Sequence, residues 1–128
     1  GHTLTMRSQS GVENLAACNK CHSDLTAFNR ELHGDYDGDG KAGGVQDELQ
    51  GLLNILYSAI RESGVKVMDR SPFWENVTTK AQKAAIYNWS FVNNDKSLGI
   101  HNTARSVQLL QRSYKDLTGK NISGADIR

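Results

Sequence analysis

A chain of 128 residues is long enough for one compact domain with its own core. Hydrophobic residues make up 38% and charged residues 23%, with a net charge of +1, which excludes a disordered or fibrous chain. The charges are mixed, so no basic stripe indicates nucleic-acid binding, and no apolar run approaches the roughly 20 residues of a membrane-spanning helix.

Both cysteines fall in one motif near the start of the chain, Cys18-Asn19-Lys20-Cys21-His22. The C-x-x-C-H spacing is typical of covalent haem attachment, in which two thiols reach the two vinyl groups of one porphyrin and the histidine binds the iron. A structural zinc site would need a second pair of ligands, and the chain has no further cysteine. A thioredoxin-like pair would follow a strand, and a plain disulfide would not require the histidine. The motif therefore predicts one haem c bound through Cys18, Cys21 and His22.

The motif resembles that of c-type cytochromes, which implies a periplasmic or cell-surface protein, because their haem is attached outside the cytoplasm. The chain begins Gly1-His2-Thr3 without a signal peptide, and we expect a targeting segment to have been removed. Both cysteines are used by the motif, which suits an oxidising compartment. We expect a short helix to carry the motif and to reach about Leu32.

An acidic loop follows at positions 35–41. Carboxylates alternate at Asp35, Asp37 and Asp39, and a glycine occupies the sixth position, as in the first half of an EF-hand calcium loop. Alternating carboxylates converge on a hard cation, and the seventh position, here Lys41, contributes only its backbone carbonyl. The loop therefore predicts a Ca²⁺ site.

The closing ligand of this site departs from the EF-hand pattern. The twelfth position is Gln46 instead of glutamate, and we expect Glu48, two positions later, to close the site. The alternative is a solvated acidic turn, since aspartate and glycine are common turn residues. Because three neighbouring carboxylates repel one another without a cation, we favour structural calcium that joins the haem segment to the next helix.

Three later segments have the apolar spacing of amphipathic helices. They cover about 45–63, 79–93 and 102–118, and Gly64 and Gly119 end the first and third. The apolar residues expected to face the core are Val45, Leu49, Leu52, Leu53, Leu56, Ile60, Ala85, Trp89, Val92, Val107, Leu110, Tyr114 and Leu117. The aromatic residues expected in the core or against the haem are Phe73, Trp74, Tyr87, Trp89 and Phe91. The only proline suggests a further helix start at Ser71-Pro72. No segment alternates with a period of two, so the sequence predicts an all-α domain with three to four main helices.

The presence and identity of a second axial ligand decide whether the haem iron transfers electrons or does chemistry at a vacant position. The candidates are His101, His33 and Met68. His33 follows His22 by eleven residues, and a continuous helix would keep it on the same side of the haem. His101 precedes the third helix, where nothing local restricts the haem face that it approaches. We favour His101, with His33, Met68 and an open sixth position as alternatives.

The segment 85–95, with Gly99-Ile100-His101-Asn102, resembles the C-terminal helical region of multihaem cytochromes. It is similar to the part of ammonia-forming cytochrome c nitrite reductases and their relatives where Gly-x-His-Asn supplies a distal haem ligand. The resemblance covers the last third of the chain and implies bis-histidine ligation through His101. Those enzymes carry several C-x-x-C-H motifs and a lysine-ligated catalytic haem, whereas this chain has one motif, so nitrite reduction is not carried over.

The sequence therefore predicts one monohaem cytochrome c domain over residues 1–128, either on its own or as a piece of a longer multihaem protein. Its expected function is electron transfer through a low-spin, bis-histidine haem to redox proteins or neighbouring haem domains. The alternative is a haem enzyme or a gas or redox sensor with an open sixth position. Catalysis of that kind would need a distal acid–base residue, and the chain offers no convincing His-Arg pair for it.

Overall fold

The computed structural model describes residues 7–67 and 74–128. Its elements, in chain order, are a 3-10 helix at Leu15–Ala17, helix α1 at Val45–Glu62, strand β1 at Lys66–Val67, strand β2 at Trp74–Glu75, helix α2 at Lys80–Asp95 and helix α3 at Thr103–Thr118. Each of the three α-helices contacts the other two. None of the helices in these two ranges has the length and apolar character needed to cross a membrane. The prediction of a small, mainly helical domain is confirmed.

The core lies between the three helices, with α1 contributing most of it. All six apolar residues predicted for the inner face of α1 are buried: Val45, Leu49, Leu52, Leu53, Leu56 and Ile60. Ala85 and Val92 of α2 and Val107 and Leu110 of α3 complete the packing. Because burial of one large aliphatic side chain contributes about 1.5–3 kcal/mol, this stripe supplies much of the stability of the fold.

Local signals set the ends of the helices close to their predicted positions. Thr79 caps α2: its side chain accepts from the Gln82 amide at 3.1 Å, and the Gln82 side chain accepts in return from the Thr79 amide at 3.1 Å. The Asn102 side chain caps α3. Gly119 ends α3 in the left-handed conformation with φ of 77°, which glycine adopts without strain.

Two expectations about the secondary structure were wrong. The domain is not entirely α-helical, because Lys66–Val67 and Trp74–Glu75 form a short antiparallel pair. The described part of the chain also contains no α-helix between the haem motif and Leu32. Instead, the Val45 amide donates to the Arg30 carbonyl at 2.8 Å and the Leu32 amide to the Gly43 carbonyl at 3.0 Å. This extended pairing uses backbone groups that a helix would need.

The aromatic residues divide into two groups. Tyr57, Trp74 and Trp89 form a cluster with ring centroids 5.6–5.8 Å apart, and the Trp89 indole donates to the Leu53 carbonyl at 2.9 Å. This cluster packs against the core, as predicted for the tryptophans. Tyr87 and Phe91 are 71% and 59% exposed, so their predicted place in the core or against the haem is wrong: they lie on the outer face of α2. The predicted helix start at Ser71-Pro72 and the residues Phe73 and Met68 lie outside the described residues.

Candidate functional site

The C-x-x-C-H motif lies in consecutive turns that follow the 3-10 helix. The Cys18 amide donates to the Leu15 carbonyl at 2.9 Å, and the Cys18 carbonyl accepts from the amides of Cys21 at 3.0 Å and His22 at 2.9 Å. These bonds fold His22 back towards Cys18. Both thiols are free, with Cys18 half-buried and Cys21 and His22 exposed. The local fold therefore leaves all three side chains available for chemistry.

A cavity of about 680 Å³ brings the motif together with the predicted distal ligand. Cys18 and His22 line it from the N-terminal side, and His101 lines it from the connection between α2 and α3. Further lining residues with apolar surface are Leu25, Ala27, Phe28, Val45 and Ile100. The volume falls within the range of about 300–1,000 Å³ that is usual for ligand sites. One thiol and two imidazoles therefore line the cavity, and Cys21, in the same backbone turn as Cys18, supplies the second thiol that attachment of a haem c would require.

Two other predicted donors, Cys21 and His33, are not part of the cavity wall. Cys21 does not line the cavity, although it shares one backbone turn with Cys18. His33 is exposed and is also absent from the lining. Met68 lies outside the described residues. Of the three candidates for the second axial ligand, His101 is the one found in the cavity wall.

The connection between α2 and α3 is a tight turn that carries His101. Lys96, Leu98 and Gly99 all have positive φ values, of 59°, 48° and 79°. For the two residues with a Cβ this conformation is strained, and such strain persists only where the surrounding structure enforces it. A Cβ at Gly99 would approach the Leu49 side chain to 3.0 Å, so glycine allows the turn to pack directly on α1. The turn thereby fixes where α3 begins and where His101 meets the cavity.

An acidic residue that the sequence analysis missed lies beside His101. The Asp95 carboxylate is 3.8 Å from His101 Nδ1, and the hydroxyl of buried Ser97 donates to the same carboxylate. A histidine that binds a metal through Nε2 usually has a carboxylate or carbonyl next to its other nitrogen, which orients the ring. Asp95 ends α2 and His101 lies in the non-helical turn that follows, so no periodic spacing in the sequence reveals the pair.

The acidic loop gathers the three predicted carboxylates. One oxygen from each of Asp35, Asp37 and Asp39 lies within 4.8 Å of the other two. Backbone amides shape the turn: Gly38 and Gly40 donate to the two oxygens of Asp35 at 2.6 and 2.7 Å. Asp39 donates from its amide to Asp37 Oδ1 at 3.0 Å. The convergence that the alternating spacing predicts is therefore present in the loop.

Glu48 lies beneath the acidic loop and closes it by accepting hydrogen bonds from backbone amides. Its side chain is 2% exposed. Oε2 accepts from the amides of Tyr36 at 2.7 Å and Asp37 at 3.2 Å, and Oε1 accepts from the amide of Gly43 at 2.6 Å. Glu48 thus joins both ends of the loop to the first turn of α1. Its direct binding of a cation, like that of the Lys41 carbonyl, stays a prediction.

Asp37 packs against α1 at a position where only glycine leaves room for the Asp37 carboxylate. It lies against Gly51 in the middle of α1, where an added Cβ would overlap the Asp37 carboxylate. Burial raises the pKa of Asp37, and the negative charges of Glu48, Asp39 and Asp35 raise that pKa further. Glycine inside a helix costs about 1 kcal/mol relative to alanine, so α1 gives up stability where it accommodates this carboxylate.

The loop is also tied to the end of the chain, which the sequence analysis did not predict. The Asp126 amide donates to the Asp35 carbonyl at 2.6 Å, and the Asp35 amide donates to the Asp126 carboxylate at 3.1 Å. The buried Gln111 side chain donates to the carbonyls of Tyr36 at 3.0 Å and Asp126 at 2.8 Å. The acidic loop therefore links α1, α3 and the C-terminal segment.

No family model, curated protein or solved structure matches this chain. The resemblance to multihaem cytochromes therefore stays a prediction from the residues quoted for it. Function has to be argued from the donor groups around the cavity and in the acidic loop.

Proposed function

We propose that this chain is a monohaem c-type cytochrome domain that transfers electrons, with the haem held by Cys18, Cys21, His22 and His101. The main support is that Cys18, His22 and His101 line the same cavity although they lie far apart in the sequence. A chance surface histidine has no reason to share a cavity with the C-x-x-C-H motif. The likeness of Gly99-Ile100-His101-Asn102 to a distal-ligand motif supports the same assignment.

Each residue would have a distinct role. The S–H of Cys18 and of Cys21 would add across one porphyrin vinyl group each, forming a C–S and a C–H bond without net oxidation. When bound, the haem supplies an iron that accepts and releases one electron. His22 and His101 would give this iron two nitrogen ligands, and Asp95 would orient His101 through Nδ1. Two strong ligands leave no position for a substrate, which favours electron transfer over catalysis.

The test begins with the chain produced in cells that attach haem c. A pyridine haemochrome spectrum and the intact mass should show one covalent haem, and Cys18→Ala with Cys21→Ala should lose it. EPR of the oxidised protein should show a low-spin haem that becomes high-spin in His101→Ala. His33→Ala is the matched control and should keep the wild-type spectrum, because His33 is exposed and outside the cavity.

Other outcomes would contradict this proposal. Absence of covalent haem from the wild type would remove its basis. A high-spin wild-type haem that binds cyanide or nitric oxide rapidly would instead indicate an enzyme or sensor with an open sixth position. One observation favours this alternative: the side chain of His101 is 44% exposed.

We also propose that the acidic loop binds one structural Ca²⁺. Asp35, Asp37, Asp39 and the Lys41 carbonyl would be the ligands, and Glu48 would close the site. Support comes from the three converging carboxylates, because a cation would offset the repulsion between their negative charges. The site would join the haem segment to α1 and the C-terminal segment. An extracytoplasmic location, periplasmic or at the cell surface, would suit both haem c and calcium.

Calorimetric titration with Ca²⁺ and with Mg²⁺, after treatment with a chelator, measures this site directly. We expect one Ca²⁺ per chain and a higher melting temperature in its presence, because binding to the folded state stabilises it. Asp39→Asn should weaken binding, whereas Asp116→Asn, an exposed carboxylate on α3, should not. Equal melting temperatures with Ca²⁺ and with chelator would exclude a structural calcium site.

A further inference from the structure

A groove of about 1070 Å³ lies between α2, α3 and the C-terminal segment, separate from the haem cavity. Its ionisable lining residues are Lys80, Arg105, Arg112, Lys115, Arg128 and Asp116. Five of these are basic and one is acidic, a difference of four positive charges, whereas the whole chain carries +1. We propose that this groove is a docking site for an acidic, extended segment of a partner polypeptide.

Within the described part of the chain, no carboxylate forms an ion pair with the basic side chains of the groove. The ion pairs among residues 7–67 and 74–128 join Arg7 to Glu13 and His101 to Asp95. None of the five basic residues of the groove takes part in them. Uncompensated charge of one sign along a groove attracts and orients a partner of opposite sign.

The spread of the charges favours a peptide over a small anion. Arg105 lies in the first turn of α3 and Lys115 in its last turn, and ten residues of helix span about 15 Å. One phosphate or carboxylate cannot contact both ends. An extended strand of about five residues covers this distance at roughly 3.3 Å per residue.

The apolar part of the lining favours a polypeptide over a nucleic acid. Ala81, Ala84, Leu109 and Ile127 lie between the charges, and Ile127 is 57% exposed. These side chains offer contacts to apolar residues interspersed among acidic ones. Single-stranded nucleic acids are usually held by aromatic side chains on which bases stack, and none of the described residues that line this groove is aromatic.

The groove also begins close to the candidate haem ligand. Arg105 follows His101 by four residues and lies in the first turn of α3. A partner bound in the groove would therefore approach the edge of the haem cavity. This last step rests on the proposed electron transfer, whereas docking itself does not.

Fluorescence anisotropy of a labelled Glu/Leu peptide, titrated with the purified protein at low and at high salt and whatever its haem content, tests the docking site. We expect binding that weakens as salt rises. The pair Arg112→Glu and Lys115→Glu should weaken it at least about tenfold. The matched control is Lys66→Glu with Lys83→Glu, which changes the charge equally at exposed residues outside the groove and should have little effect.

Circular dichroism checks that every variant folds, and Arg105→Gln replaces the double variant if that one does not. Absence of binding, or an equal loss in the control pair, would overturn the docking site. Tighter binding of single-stranded DNA with the same dependence on Arg112 and Lys115 would assign the groove to nucleic acid instead. The haem spectrum, recorded separately, shows whether the electron-transfer proposal holds independently of the peptide result.

Discussion

The three-helix body and the segment that precedes it are held together by different interactions. The helices α1, α2 and α3 bury a continuous aliphatic core around Leu49, Leu52 and Leu110. Of the described residues before α1, Phe28 is the one buried hydrophobic residue. That segment is held mainly by side chains that bind backbone amides, such as Glu13 on Phe28 at 3.0 Å. Apolar packing therefore stabilises the three-helix body, and polar contacts stabilise the segment that precedes it.

This difference matters because the proposed chemistry lies in the weakly packed part. The C-x-x-C-H motif and the acidic loop both precede α1, and His101, at the edge of the helical body, shares a cavity with Cys18 and His22 of the motif. Segments with few buried apolar contacts open most readily and are where binding sites are often found. We expect haem and calcium to complete the packing that the segment lacks.

The largest expected effect is on the free energy of unfolding, and it should differ between the three-helix body and the segment that precedes it. Leu52→Ala, at a fully buried position of α1, should lower the free energy of unfolding by about 2–5 kcal/mol, because it leaves a cavity among packed side chains. Leu25→Ala, at a half-buried position in the wall of the cavity that Cys18 and His101 line, should cost the protein less than about 1 kcal/mol in the absence of haem. Urea denaturation of both variants measures the contrast. Equal losses would show that the N-terminal segment belongs to the same core.

The next largest effect concerns Gly51, where α1 contacts Asp37 of the preceding segment. Gly51→Ala should weaken calcium binding about 10–100-fold, because the added Cβ displaces the Asp37 carboxylate. In chelator, the same change should cost little, since alanine favours the helix by about 1 kcal/mol. Ser58→Ala, at an exposed position of α1, is the control and should leave binding unchanged. Wild-type affinity in Gly51→Ala would remove Asp37 from the proposed site.

A smaller effect follows from the raised pKa of Asp37, which burial and the neighbouring carboxylates cause. A carboxyl group whose pKa is higher in the folded than in the unfolded state stabilises the fold at low pH and loses this contribution as pH rises through the folded pKa. Asp37→Asn should therefore raise the melting temperature in chelator at neutral pH and not in acid. With Ca²⁺ the order should reverse, because the variant loses the metal. Melting curves across pH, with Asp116→Asn at an exposed position of α3 as control, measure both signs.

The smallest effect tests how the helical body positions His101. Asp95→Asn should raise the reduction potential of the bound haem, because a carboxylate beside Nδ1 makes the imidazole more basic and favours ferric iron. The haem should stay low-spin, since His101 itself is unchanged. Asp116→Asn removes the same charge from an exposed part of α3 and serves as control. Equal potentials in all three proteins would mean that Asp95 does not act on His101.

Much of the helical body is predictable from the sequence, and little of the preceding segment is. Helical spacing and a glycine after the last turn are local signals, so the predicted ranges of α2 and α3 lie close to the observed ones and Gly119 ends α3 as expected. Tyr87 and Phe91 were misplaced because aromatic composition alone does not say which face of α2 is covered. The predicted helix before Leu32 did not form because residues 30–32 pair with residues 43–45.

The sequence by itself determined the three helices, the short motif with two thiols and an imidazole, and the alternating carboxylates, because each depends on spacing along the chain. Only the tertiary structure decided that His101 shares a cavity with Cys18 and His22, and that Asp95 lies beside it. The same holds for Gly51 beneath Asp37 and for the basic groove between α2 and α3. Such contacts depend on how helices pack and on where strained turns place side chains. No local sequence pattern predicts either of these.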